Sequence, residues 1–240
     1  MNIENKKILI VGGTSGFGLE IAKLALQNNA TVTIIGRDKD RLEEALQSLK
    51  LVNTSVTGYI VEATNVNQLN YFFEQNGSFD HVVSMLGGAM DGGFLDNTVE
   101  NIEKIVKGKF FNNLQLAQIA KKHLNKKGSI ILTAGSGGSP ATASGAYVGN
   151  HAIDQLVQGL ALELAPDYRV NAVSPTWTPT GLWRDMDDHD KDEQIKSFSD
   201  AVPLKRLGSL QEVGSGYLYL MSNDFITGQT MHIDGGIDLR

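Results

Sequence analysis

Cysteine is absent from the 240-residue chain, which excludes disulfides, thiolate metal sites and a cysteine nucleophile. Long apolar runs are absent too. Nothing approaches the ~20 residues of a membrane span, and the N-terminus does not read as an export signal, so the cytoplasm is the expected location. Basic blocks are missing: 27 acidic against 21 basic residues give a net charge of −6, a poor match for a nucleic-acid surface. His81, His123, His151, His189 and His232 fall at no metal-ligand spacing, and Asp187-Asp188-His189-Asp190 reads as a solvated turn, so no metal is expected. No internal repeat and no linker rich in proline, glycine or serine divides the chain. With 41% hydrophobic and 20% charged residues, a single globular domain over residues 1–240 follows.

The most informative stretch that is present runs from Ile8 to Gly18, ILIVGGTSGFG. Ile8, Leu9, Ile10 and Val11 form an unbroken apolar run, the pattern of a parallel strand covered on both faces. Gly12, Gly16 and Gly18 follow, and Phe17, Ile21, Leu24 and Ala25 then recur at helical spacing. A helix N-terminus offers free backbone N–H groups and the positive end of a dipole. The loop is thus suited to a dinucleotide pyrophosphate, with Gly12, Thr14, Ser15, Gly16, Phe17 and Gly18 as candidate contacts. A Cβ at the glycines would obstruct the turn or the approach of the phosphates.

Further apolar or β-branched runs lie at 31–35, 55–61, 81–84, 129–133, 169–173 and 230–233, with helical periodicity filling most of the gaps. Ile153, Leu156, Val157, Leu160 and Leu164, for example, mark one face of a long helix ending before Pro166. This alternation predicts an α/β fold, a three-layer Rossmann-type doubly wound parallel sheet. The longest interruption, 176–208, holds Trp177, Trp183, Met186 and the acidic run Asp185 to Glu193; its length reads as a substrate lid, and its charges as a solvated helix. After the second strand Arg37 precedes Asp38, where this fold meets the adenosine ribose. A guanidinium suits a 2′-phosphate, so NADP is expected over NAD, with Asp38 as N-cap of the helix carrying Leu42, Ala45, Leu46 and Leu49. An Asp38 turned toward the ribose would favour NAD instead.

The G-x-x-x-G-x-G spacing resembles the nucleotide loop of the short-chain dehydrogenase/reductase family. Val170 to Pro175 with Thr180, and Gly228 to Gly236, extend that resemblance over nearly the whole chain. It implies cofactor contacts at Gly87, Pro175 and Thr180, and hydride transfer between a nicotinamide and a carbonyl or secondary alcohol. Members usually carry Tyr-x-x-x-Lys on a helix, a Ser about a dozen residues earlier, and an Asn on the preceding long helix. Here Tyr147 is followed four residues on by His151, Ala134 falls at the Ser position with Ser136 close by, and Lys109 falls at the Asn position.

A free phenol has a pKa near ~10 and needs a neighbouring positive charge to exchange protons near neutrality. His151, mostly uncharged at pH 7, supplies that poorly. Lys109 lies in a helical seam with Ile102, Val106, Leu116 and Ala120, which points its side chain inward. An ammonium ~5 Å from the phenol, at an effective dielectric of ~20, would favour the phenolate by ~3 kcal/mol. The expected roles are charge from Lys109, proton transfer by Tyr147, a substrate hydrogen bond from Ser136 and a ribose or water contact from His151; Tyr147 and His151 thereby also border the cofactor. Met85, Leu86, Met90, Phe94, Trp177, Trp183 and Met186 suggest an apolar or aromatic substrate pocket. Two readings stand: an NADP(H)-dependent oxidoreductase with a rearranged active site, or a cofactor-binding sensor or interaction protein that has lost hydride transfer. The resemblance also implies a homotetramer, with the helices around Lys109 and Tyr147 packed between subunits.

Overall fold

In the computed structural model, which describes residues 3–183 and 186–239, the seven strands form one parallel sheet. They are β1 (Lys7–Val11), β2 (Thr31–Gly36), β3 (Val56–Ile60), β4 (Phe79–Ser84), β5 (Leu124–Thr133), β6 (Arg169–Pro175) and β7 (Thr230–Ile233), in the order β3-β2-β1-β4-β5-β6-β7. The unbroken apolar run of β1 follows from period-2 alternation between two buried faces. Leu9 and Val11 enter one hydrophobic cluster, Ile8 and Ile10 the other. The same parting occurs at Val82 and Val83 of β4 and at Ile130 and Ile131 of β5.

Helices cover both faces and complete the three layers. On one side α1 (Gly16–Gln27), α2 (Lys39–Lys50) and α8 (Leu210–Ser222) contribute Ile21, Leu42 and Leu220; on the other α3 (Val66–Asn76), α5 (Asn112–Ala120) and α6 (Pro140–Leu164) contribute Phe73, Leu116 and Ile153. Each such side chain is worth about 1.5–3 kcal/mol of burial. The remaining helices are α4 (Val99–Val106) and α7 (Asp188–Ala201), the latter inside the long insertion. Asp38 caps α2 as expected, accepting from the Arg41 amide at 3.0 Å.

Three local features depart from the sequence reading. The seam through Ile102, Lys109 and Ala120 is not one helix: a π-helical turn at Lys107–Phe111 separates α4 from α5. It leaves carbonyls without their usual partners, and the Asn113 amide takes that of Lys109 at 2.7 Å. Secondly, α6 bends at Ala143 and Ser144 before running on without interruption. Thirdly, Asp187 to Asp190 forms the N-cap and first turn of α7, not an isolated turn, with the Asp187 carboxylate accepting from the Asp190 amide at 2.9 Å. Asp185, at the head of the acidic run, lies outside the described residues.

Candidate active site

Strand order reverses between β1 and β4, and adjacent crossovers leave in opposite directions there, opening a crevice beyond the C-terminal strand ends. A cleft of about 870 Å³ occupies that position. Gly12, Thr14, Ser15, Gly16, Phe17, Gly18, Arg37, Gly87, Pro175 and Thr180 all border it. Ser15 makes no side-chain cap on α1, so its hydroxyl leaves the first-turn amides open. The turn itself requires glycine: Gly12 has φ +84°, and a Cβ on Gly18 would collide with the Gly12 carbonyl oxygen. At Gly16 a Cβ would stand 3.1 Å from the Thr180 Cβ, which shows how closely the loop approaches the segment after β6.

At the β2 end, the Arg37 side chain is 76% exposed, with its guanidinium 4.0 Å from Glu62. Both Asp38 oxygens are engaged by Arg41, one by its amide and the other by its guanidinium at 2.8 Å. The guanidinium bond, foremost, holds Asp38 below the usual carboxylate range. Arg41 also borders the cleft, and sequence reasoning missed it; an arginine at i+3 from a cap was the available signal.

At the opposite end Lys109 is only 6% exposed and points inward. Its aliphatic stem passes between two glycines. A Cβ on Gly149 of α6 would come within 2.8 Å of its Cδ, and one on Gly87 within 3.4 Å of its Nζ. Burial alone draws the ammonium down to about 8. The fully buried Asn113 fixes this arrangement: it donates to Leu86 O at 3.2 Å and Lys109 O and accepts from Ser84 Oγ at 2.6 Å.

The register expected on α6 is corrected. Ala146 and Asn150 border the cleft; Tyr147 and His151 do not. Helical geometry explains the difference, because one residue turns a side chain by ~100°. Tyr147, His151 and Asp154 instead follow one another at helical spacing, and Asp154 accepts from Thr230 of β7 at 2.7 Å. The Tyr147 and His151 rings pack on each other at 4.2 Å, and His151 Nδ1 lies 3.0 Å from the Tyr147 carbonyl oxygen.

Ala134 and Ser136 both border the cleft, and the Ser136 hydroxyl lies 2.8 Å from Ser174 Oγ and 3.1 Å from His232 Nδ1. Of the expected apolar lining, Met85, Leu86, Met90, Trp177, Trp183 and Met186 are in place, whereas Phe94 is exposed and away from the cleft. Trp177 packs against Trp183 at 5.5 Å and stacks on Phe198 of α7 at 5.6 Å, so an aromatic cluster joins α7 to the cleft rim. Among the described residues four buried side-chain polar atoms lack a hydrogen-bond partner: Asn150 Oδ1, Thr176 Oγ1, Trp177 Nε1 and Arg169 Nε. The first three belong to residues lining this cleft, so the wall carries unspent donors and acceptors.

Sequence spacing gave no histidine cluster, but folding brings His232 together with Asp234 and Asp238, and α7 brings His189 together with Asp190 and Glu193. In the first group His232 Nδ1 lies 3.4 Å from Asp238, whose other oxygen accepts from the Gly137 amide at 2.8 Å. No helix among the described residues is long and apolar enough to cross a membrane.

Comparison with known proteins agrees with this geometry. The family model described as enoyl-(acyl carrier protein) reductase matches residues 11–238. Tropinone reductase-like 3 of Erythroxylum coca is 31% identical over 99% of this chain and 95% of its own. The NADPH-dependent aldehyde reductase 1 of Arabidopsis thaliana, a chloroplastic protein, is 30% identical over 98% of this chain and 86% of its own. A small-chain dehydrogenase solved in complex with NADPH superposes with a TM-score of 0.83 at 27% identity, covering 99% of this chain and 100% of that one. Glycine loop, reversed strand order, cleft and relatives together make this chain a member of the short-chain dehydrogenase/reductase family of oxidoreductases.

Proposed function

We propose that the protein is an NADP(H)-dependent oxidoreductase that interconverts a carbonyl and a secondary alcohol in a rearranged active site. The single observation that carries this reading is the cleft itself, with uncapped α1 amides at its centre, guanidinium groups at one end and unpaired polar atoms along its wall. These features fit a phosphorylated dinucleotide. Gly12 to Gly18 would hold the pyrophosphate, Arg37 and Arg41 a 2′-phosphate, and Asn150 and Thr176 the remaining polar groups. When bound, the nucleotide supplies or accepts the hydride. Because Arg41 already occupies both Asp38 oxygens, a free ribose 2′-hydroxyl has less to bond there, which supports NADP over NAD. The NADPH named for two of the relatives supports it further.

The chain's own residues account for the rest of the chemistry. Ser136 is proposed to hydrogen-bond the substrate oxygen, its hydroxyl being oriented by Ser174 and His232. Segment 176–208 is proposed as a lid, which α7 closes through the stack of Trp177 and Phe198, excluding water. Trp177, Trp183 and Met186 favour an apolar or aromatic substrate. The proposed setting is a cytoplasmic homotetramer assembled along the groove that the π-helical turn and α5 form with α6, where Phe110 and Leu114 are half-buried.

The competing reading, a cofactor-binding sensor without hydride transfer, draws on the same wall: Ala134 borders the cleft at the position where the resemblance implies a serine, and no tyrosine borders the cleft among the described residues. Following NADPH absorbance across a panel of ketones, quinones and alcohols separates the two. Consumption with at least one compound supports the oxidoreductase. Tight NADPH binding with no consumption for any compound supports the sensor.

A further inference from the structure

We infer that Lys109, not a tyrosine, exchanges the proton with the substrate oxygen. This deepens the oxidoreductase reading and rests on it. Among the described residues, the ionisable side chains bordering the cleft fall into two groups: Arg37, Asp38, Arg41 and Glu62 gather at the β2 and β3 ends, while Asp91 and Lys109 lie beyond β4. No tyrosine or histidine borders the cleft among the described residues. Ser136 and the threonine hydroxyls are too weakly acidic to supply a proton unaided. Asp91 is exposed, which leaves Lys109 as the buried proton carrier at that end among the described residues.

The surroundings of Lys109 are those of a positioned group. Gly87, at φ +143°, and Gly149 leave a corridor that any Cβ would narrow to 3.1 Å from its Cγ on one side and 2.8 Å from its Cδ on the other. Its backbone sits on the π-helical turn, and Asn113 ties that turn to the Leu86 carbonyl on the same loop as Gly87. The ammonium is thus set by the packing of three elements. From α6 the uncharged Gly149 packs on its stem and the uncharged Asn150 borders the same cleft, Tyr147 and His151 do not line the cleft, and Glu103 and Lys104 of α4 are exposed. With desolvation acting alone, both protonation states of the amine become accessible near neutral pH.

In the reductive direction a bound reduced nicotinamide would supply the hydride to the carbonyl carbon, and the part of this chain is the proton that the carbonyl oxygen gains. The Nζ–H bond of Lys109 breaks, its electron pair stays on nitrogen, and an O–H bond forms on the product alcohol. The neutral amine then takes a proton from water. Oxidation runs through the same transfers reversed, with neutral Lys109 accepting the alcohol proton.

The test uses the full-length protein and one property of its sequence, the absence of cysteine. Lys109→Met should lose at least 100-fold in NADPH consumption with the best carbonyl compound while its NADPH affinity, read by fluorescence, stays within 3-fold; Tyr147→Phe should keep at least half of the activity. Lys109→Cys, a unique thiol, should be equally inactive, and aminoethylation, which rebuilds a lysine isostere, should restore at least 10-fold. Independently of turnover, trace acylation of Lys109 followed by mass spectrometry should show a pH midpoint near 8 and protection by saturating NADP⁺. Undiminished consumption in Lys109→Met, equal losses in Tyr147→Phe, no rescue by aminoethylation, or an ordinary lysine midpoint without protection would each overturn the role. If the wild type binds NADPH but consumes none with any compound, the oxidoreductase reading fails and the proton-transfer role falls with it. If consumption persists without Lys109, only the role fails.

Discussion

Lys109 lies across Gly149 so closely that a Cβ there would stand 2.8 Å from its Cδ and 3.0 Å from its Cβ. Contacts that short force a neighbour to shift, and the backbones of α6 and of the π-helical turn are both held by packing. Gly149→Ala should therefore displace the lysine stem. The expected outcome is a stability loss of about 1–3 kcal/mol in urea unfolding, together with a fall in turnover larger than any change in NADPH affinity.

Burial of the same ammonium has a stability signature. Its folded value of about 8 lies below the ordinary 10.5, so between those pH values the unfolded chain binds the extra proton. Stability consequently rises as pH climbs from 8 toward 10.5, and below 8 the full desolvation cost remains. Lys109→Met should remove this dependence and be the more stable protein at pH 7, by up to about 3 kcal/mol. Urea midpoints of both proteins from pH 7 to 10.5 measure it; parallel curves would show that the amine is not desolvated.

His81 works in the opposite pH range. It is buried between β1 and β5, lies 2.8 Å from Ser129 Oγ, and is pushed down to about 4 by burial first and by Arg169 second. Below the ordinary 6.5 the unfolded chain takes up the proton and the folded one resists it, so stability is lost progressively from pH 6.5 to 4. His81→Asn, measured by thermal melting, should flatten that part of the acid limb.

Asn113 should prove structural and not chemical. Its amide and carbonyl groups join Ser84, Leu86 and Lys109, and it has no exposure at all. Asn113→Ala leaves these groups without partners and should cost about 3 kcal/mol in urea unfolding.

The fold was legible because strand burial writes itself into composition. An apolar run such as Ile8–Val11 arises only where both faces are covered, and the seven strands lie where such runs fall. Asp38 was legible as a cap because its role depends only on residues three positions away. The α6 register was not. A tyrosine four residues before a histidine resembles the family pattern, yet the stripe facing the cleft is Ala146 and Asn150, and choosing between adjacent residues requires the helix's rotation against the sheet. The bend at Ala143 and Ser144 just upstream removes any local signal of that rotation. The π-helical turn was hidden likewise, since the Asn113 hydrogen bond that ties it to the loop after β4 is a tertiary contact. Lys109 is buried as expected, but the helical seam that predicted it is broken at the π-helical turn, so its direction is set by the packing of Gly87 and Gly149 around it.

Calorimetry with NADPH and NADH, on the wild type and on Arg37→Ala, bears most directly on the proposed nucleotide cleft. NADPH is expected to bind at least 10-fold tighter than NADH, and Arg37→Ala to weaken NADPH by roughly 10-fold, about 1.4 kcal/mol, while leaving NADH unchanged. Absence of heat with either nucleotide at neutral pH and low salt would contradict the assignment of the cleft.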